Sequence, residues 1–183
     1  MPNKYFRTIS ALLLSAILGS FASAANAEEK TIQILAPWEG EGKMFQIGTE
    51  TIQFVGTFEG VMYMDKSKNE LSTAFFICPA TQDINTTTGK TSASGYCYIV
   101  AQRGKVFAKF TCKGEAVGSC DGTMTITGGT DGLEGIKGSG PMHVRTAIGA
   151  VAANVNSGEI VRAAKGLVVW PKMKITLPKA KKK

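Results

Sequence analysis

Few side chains in this chain of 183 residues are equipped for chemistry, and their types and spacing bound what it could be. The one histidine, His143, shares a strand face with Arg145 two residues on. Its ordinary pKa lies near neutrality, so the pair is a candidate for proton transfer, with a plain surface pair as the alternative. Glu59 and Tyr63, four apart in an extended run, share a face with Thr57 and Val61. Turned toward a barrel interior, Glu59 would have a raised pKa and act as an acid or base; turned to solvent, it would do neither. A Ser–His–acid triad and a cysteine nucleophile are both left incomplete by one histidine with no placed partner. The four cysteines, Cys78, Cys97, Cys112 and Cys120, include no CxxC pair, and with one imidazole no zinc site or other cofactor is expected. Trp38 and Trp170 are candidates for stacking on a ligand at a barrel mouth, or for packing strand ends.

The role of the cysteines depends on compartment. Residues 1–27 hold Lys4 and Arg7 without an acid, an apolar stretch from Ile9 to Phe21, and Ala25-Asn26-Ala27 before Glu28. This is the pattern of a secretory signal peptide, and its apolar stretch is shorter than the ~20 residues of a spanning helix. The mature chain is expected to be exported, periplasmic or extracellular, where disulfides persist.

The elements that must position these groups are strands. Runs from Thr31 to Leu35, Thr51 to Met64, Glu70 to Cys78, Ser94 to Ala101, Lys105 to Lys113, Ser119 to Thr127, Ile136 to Thr146, Glu159 to Trp170 and Lys172 to Leu177 are separated by Gly, Asn, Asp and Pro. None keeps an apolar period of 3.6, so the chain is predicted to be all-β, an antiparallel sandwich or barrel over residues 28–170, with room for a short helix only in Thr146 to Ser157. Gly56, Gly60, Gly95 and Gly122 fall in or beside strands, where they thin or bend a wall and could open a cavity, or simply let strands coil.

A two-residue turn at Arg103-Gly104 sets Cys97 opposite Phe110 and points Cys97, Ile99, Val106, Ala108, Phe110 and Cys112 one way. A turn centred near Ala116 sets Cys112 opposite Cys120 and continues that face through Gly122, Met124 and Ile126. Opposed positions bring Cβ atoms within bridging distance, so Cys112–Cys120 is the predicted disulfide and Cys78–Cys97 follows by elimination. The second bridge closes the loop holding Asn85-Thr86-Thr87, a formal glycosylation sequon. Tyr96, Tyr98, Val100 and Phe107 lie on the opposite face with Lys109, either as scattered surface aromatics or as a patch between subunits.

Charge concentrates at the ends. Of 21 Lys and Arg against 14 Asp and Glu, two lie in residues 1–27 and six lysines in residues 171–183, which leaves 13 basic against 14 acidic residues between. Nucleic acid is therefore not an expected partner. The Lys-rich segment 171–183, too polar beyond Pro178 to be core, is read as a solvated tail or a weak contact for an anionic surface.

From Gly122 the sequence runs GTMTITGGTDGLEGIKGSG, and upstream, from Phe54 to Asp65, it runs FVGTFEGVMYMD. No GxxxxGK[ST] pattern occurs, and the Gly cluster leads from strand to strand, so turn chemistry explains it better than phosphate binding. The Gly128-Gly129-Thr130 turn followed by Leu133, with the long early strand, resembles the allene oxide cyclase-like and dirigent-like barrels over residues 50–146. Asp131-Gly132 stands where those barrels have a plain Gly. The resemblance implies an eight-stranded antiparallel barrel with a central cavity, often trimeric, in a family that confines reactive apolar molecules. It carries over no catalytic residue.

The function expected is an exported small β-barrel that binds a small apolar ligand or an envelope component without catalysis. The alternatives are a cyclase or isomerase of the allene oxide cyclase type, using a carboxylate such as Glu59, and a structural or surface-interaction protein.

Overall fold

The computed structural model describes residues 28–66, 70–147 and 159–177, and within them the chain forms a closed barrel of eight antiparallel strands. The strands are β1 (Glu28–Gln46), β2 (Thr51–Lys66), β3 (Glu70–Asn85), β4 (Thr91–Ala101), β5 (Gly104–Gly114), β6 (Ser119–Gly129), β7 (Lys137–Thr146) and β8 (Glu159–Leu177). Each pairs with the next, and β8 closes on β1. The signal-like segment, the Ala-rich stretch beyond Ala147 and the lysines beyond Leu177 lie outside the described residues.

Alternation dictates the interior. Ile34, Ala36 and Trp38 of β1, Phe54 and Met62 of β2, Ala74, Phe76, Cys78 and Ala80 of β3, and Cys97 and Ile99 of β4 are all buried. The faces expected for β4 to β6 hold: Val106, Ala108, Phe110, Cys112, Cys120 and Met124 are buried, while Asp121, Thr123 and Thr127 are exposed. The outer face of β6 and β7 carries Thr123, Thr127, Lys137, His143 and Arg145. A lipid-spanning barrel inverts this arrangement, with an apolar band outside and a polar lumen.

Two turns differ from expectation by one position each. The β4–β5 turn is Gln102-Arg103, since Ala101 pairs with Gly104. Gly104 is required for a different reason: at φ 142° it admits the Thr130 carbonyl into the space a Cβ would fill. Cys97 therefore faces Ala108, and Gly95 faces Phe110. The β5–β6 turn centres one residue past Ala116, with Gly118 at φ 87°, so Cys112 pairs with Gly122 and not with Cys120. Both errors displace the partner by two residues, which keeps every side chain on its expected face.

The last two expected strands are one. β8 runs without a break through Pro171 to Leu177, so the strand expected from Lys172 to Leu177 continues the one before it and the barrel extends past residue 170. A proline has no N–H to donate, and here the ladders slip on both sides, between Ile32 and Ile34 toward β1 and between Ser139 and His143 toward β7.

One end of the barrel is shut. The GGT segment leaves β6 into a single 3-10 turn, Asp131–Leu133, with Leu133 and Ile136 buried beneath it. Asp131 takes φ 53°, the left-handed region that Asp tolerates better than most side chains. Arg103 Nη2 donates to Gly132 O at 3.0 Å and Gly132 N donates to Arg103 O at 3.0 Å, which ties this plug to the β4–β5 turn. The Gly cluster is turn chemistry, leading from strand to strand.

Candidate functional site

The half of the barrel away from the plug is only partly filled, with Met44 and Phe54 buried on the β1–β2 side. A cavity of about 70 Å³ lies there, opening at the strand ends near Gly118, Ser119 and Thr146. That is roughly five times the ~10–15 Å³ a single water needs, and far below the ~300–1,000 Å³ of sites that engulf a drug-sized molecule. It suits a small ring or a short acyl chain.

Its wall is apolar. Trp38, Phe58, Phe76, Phe110, Met124, Met142, Val168 and Trp170 line it, and polar side chains enter only as Gln82, Ser119 and Thr146. No Asp, Glu, Lys, Arg or His lines it among the described residues. Sequence reasoning picked out the two tryptophans but missed Phe58, Phe76 and Met142. A signal for Phe76 lies in the predicted Cys78–Cys97 bridge: Cys97 points inward, so Cys78 must too, and Phe76 two residues before it shares that face.

Both disulfides form part of this wall. Cys78–Cys97 and Cys112–Cys120 are the pairs predicted, with Cα separations of 4.1 and 5.4 Å. The pairs Ile77 to Tyr98 and Ala80 to Gly95 set Cys78 directly opposite Cys97. Cys112–Cys120 is instead a diagonal bridge, reaching from the position opposite Gly122. The four cysteines are disulfide-bonded, which fits an oxidising environment.

The inward glycines do not leave gaps; they seat rings. A Cβ on Gly95 would lie 2.7 Å from the Phe110 ring, one on Gly40 2.9 Å from Phe58, and one on Gly166 2.6 Å from Trp38. Gly56 and Gly60 likewise make room for Phe54 and Phe76, and Gly122 for Cys112. Of the two readings of Gly56, Gly60, Gly95 and Gly122, close strand packing holds and an opened wall does not. Trp38 so seated meets Phe58 edge to face, with centroids 5.2 Å apart at 89°, and Phe58 continues to Phe54 at 5.3 Å.

The titratable candidates are elsewhere. Alternation in β2 turns Phe54 and Met62 inward, so Glu59 and Tyr63 lie on the outer face, as does Thr57. The interior carboxylate considered for catalysis is thus outside, beside Glu39 of β1. His143 and Arg145 are also exposed on the outer face, gathered by Asp121 across from them on β6. Arg145 Nη1 and Nη2 donate to Asp121 Oδ1 and Oδ2 at 2.7 and 3.3 Å. His143 Nδ1 lies 2.9 Å from Oδ1, which places its proton on Nδ1 while the carboxylate is ionised. The hydrogen bonds from Arg145 and then His143 hold the Asp121 carboxyl below its usual range, and Asp121 in turn raises the Arg145 pKa. The three side chains form a solvated ion cluster on the outer side of the wall, none of them entering the cavity that their neighbours Cys120, Met142 and Val144 line.

The outer aromatic patch is real and contiguous. Register aligns Ile77, Tyr98 and Phe107 across β3 to β5, with Phe75 and Val100 in the next row. Tyr98 and Phe107 rings are 6.1 Å apart, Lys105 Nζ stands 5.4 Å from the Tyr98 ring, and Tyr96 is 69% exposed.

Compared with known proteins, the chain matches no family model, no curated protein and no solved structure.

Proposed function

We propose that this protein is an exported barrel that holds a small apolar molecule in its interior without covalent chemistry. The observation that carries this reading is the segregation of groups: a cavity walled by aromatic, Met and disulfide side chains, with every charged candidate on the outer face. An eight-stranded barrel has an interior just wide enough to be filled or to hold one small ligand, and here packed side chains leave one cavity of about 70 Å³. Met124 and Met142 in the wall are unbranched and adapt to differing ligand shapes. Against the cyclase alternative stands the position of Glu59, Tyr63, His143 and Arg145, none of which lines the cavity.

Export and oxidation leave the natural ligand to be found with the protein. Mass spectrometry of small molecules released from the purified, oxidised protein is expected to show an apolar compound in near-stoichiometric amount. The variant Ala93→Leu, which fills the cavity from its wall, is expected to release none while keeping its fold by circular dichroism. A ligand that co-purifies equally with the variant places binding outside the barrel and ends this reading.

A second reading concerns the outer face and is favoured by the patch of Phe75, Val100, Tyr98 and Phe107 on two adjacent rows, partly exposed to solvent. Exposed apolar patches of this kind mark interfaces, and the barrel resemblance implies a homotrimer. Sedimentation at micromolar concentration is expected to give three times the chain mass, and Val100→Glu to give the monomer. A monomeric wild type refutes it.

A further inference from the structure

The positive charge of the chain is gathered at one end of the barrel. Residues 28–170 hold 13 basic against 14 acidic side chains, so the six lysines of residues 171–183 are the whole positive excess beyond residue 27. β8 carries the first two, Lys172 and Lys174, to the plugged end, and the other four follow Leu177 in the last six residues. Lys137, the first residue of β7 after the plug, stands opposite Thr176 and so diagonal to Lys174. All three of these lysines are exposed, and the buried Met173 and Ile175 turn their neighbours Lys172 and Lys174 outward. None of the three joins an ion pair among the described residues. The acids on the adjoining stretch of β1 are Glu29, opposite Thr176, and Glu28, which Lys30 holds at 3.0 Å.

The other end of the barrel differs in kind. The cavity opens there, by Gly118, Ser119 and Thr146, and the charges beside it are paired, Asp121 with Arg145 and His143, and Lys90 with Glu115. The patch at the plugged end is made of lysine alone. The planar fork of arginine suits two-pronged recognition of one fixed phosphate or sulfate, whereas lysine is a point charge on a flexible stem. Lysines standing about 7–8 Å apart on a sheet surface therefore answer to a field of negative charge and not to a single group. An anionic bilayer supplies such a field, and each lysine brought near it raises affinity about fivefold.

We propose that the plugged end of the barrel docks on an anionic lipid surface through Lys137, Lys172 and Lys174, with the cavity mouth facing away into solution. This goes beyond the small-ligand reading and does not depend on it. The contact is electrostatic, so it is reversible and weakens as salt shortens the reach of the surface field. Attachment by the closed end leaves the mouth free to exchange whatever the cavity holds.

The test uses the oxidised protein and vesicles of phosphatidylcholine, either alone or with about a third phosphatidylglycerol. At ~0.1 M salt the protein is expected to sediment with the anionic vesicles and not with the neutral ones, and at ~1 M salt to be released. The triple variant Lys137→Gln/Lys172→Gln/Lys174→Gln is expected to bind about a hundredfold more weakly, with an unchanged melting temperature. The variant Lys43→Gln/Lys109→Gln/Lys113→Gln removes the same charge from exposed positions away from the plug and is expected to stay within about threefold of wild type. Vesicles are expected to slow amide exchange at the Asp131–Leu133 turn and to leave the Asn85–Lys90 turn unchanged. Equal loss in the two triple variants overturns the proposal, because net charge alone then drives binding. Wild-type affinity in the first variant overturns it by confining attachment to residues 178–183, and protection of the Asn85–Lys90 turn overturns the orientation. Equal binding to neutral vesicles, or tighter binding to soluble dextran sulfate than to the anionic vesicles, overturns the lipid assignment. Every one of these outcomes leaves the small-ligand reading standing.

Discussion

Replacing Cys78 and Cys97 together by alanine is expected to lower the unfolding free energy by about 3 kcal/mol, and replacing Cys112 and Cys120 by about 2.5 kcal/mol. The order follows from the loops: the first bridge joins residues 19 apart and the second residues 8 apart, and a longer closed loop removes more freedom from the unfolded chain. Small domains have only about 5–15 kcal/mol in total. Losing both bridges therefore takes away a third of that or more, and the quadruple variant is expected to be largely unfolded at 37 °C. Alanine also removes sulfur from the cavity wall, so the wild type reduced by dithiothreitol is the matching control, with its sulfurs present and its loops open. Urea unfolding of the oxidised wild type, its reduced form and the two double variants measures all of this. A Cys112/Cys120 variant less stable than the Cys78/Cys97 variant would contradict the loop-closure account, since the shorter loop must then matter more.

That the bridges were legible in the sequence, while their geometry was not, has a physical cause. Hydrophobic alternation has a period of two, so it fixes which face a residue occupies and leaves its partner free to slide by two. Cys112 was set opposite Cys120 and lies opposite Gly122, yet both cysteines remain inward and within bridging distance. Cys78 and Cys97, assigned only by elimination, are the pair that is directly opposed. Turn position is ambiguous in the sequence for a related reason. Gly104 looked like a hairpin residue, but its positive φ serves a contact with Thr130, which belongs to a loop 25 or more residues away in sequence.

The candidate site was less legible than the fold. Glu59 and Tyr63 share a face, as their spacing requires, but spacing does not say which face is inside. The rings at Phe54 and Phe58 with Met62, each four on from the last, settle it by bulk: they need the interior more than Glu59 does. The cavity itself depends on how far the barrel's interior side chains reach along its axis. The plug residues Leu133 and Ile136 fill one end, and nothing in the local pattern of any strand says that the other end is left open. The sequence makes Trp38 and Trp170 candidates to flank a mouth, whereas they line the wall at two depths.

Trp170 carries the second large effect. Trp170→Ala is expected to cost about 3–5 kcal/mol, the range for removing a large aromatic from a packed interior. At 1% exposure, with Ile34 beside it on β1, it belongs to the filled half of the barrel as much as to the cavity wall. Its loss joins the existing 70 Å³ to the space of a whole indole. Tyr96→Ala, on the outer face at 69% exposure, is the counterpart and is expected to change stability by under about 0.5 kcal/mol in the isolated subunit. The enlarged cavity of the Trp170→Ala variant should then accept free indole, which stabilises the folded state in proportion to the logarithm of its concentration over its dissociation constant. Thermal melts with and without millimolar indole separate the possibilities. A rise in Tm for Trp170→Ala and none for the wild type shows that the lost volume is inside the barrel and reachable from its open end. A loss below 1 kcal/mol would mean that Trp170 is not packed as described. A full loss that indole does not restore would mean that the barrel collapses around the missing ring, and that the filled half, not the open one, is where this sequence invests its stability.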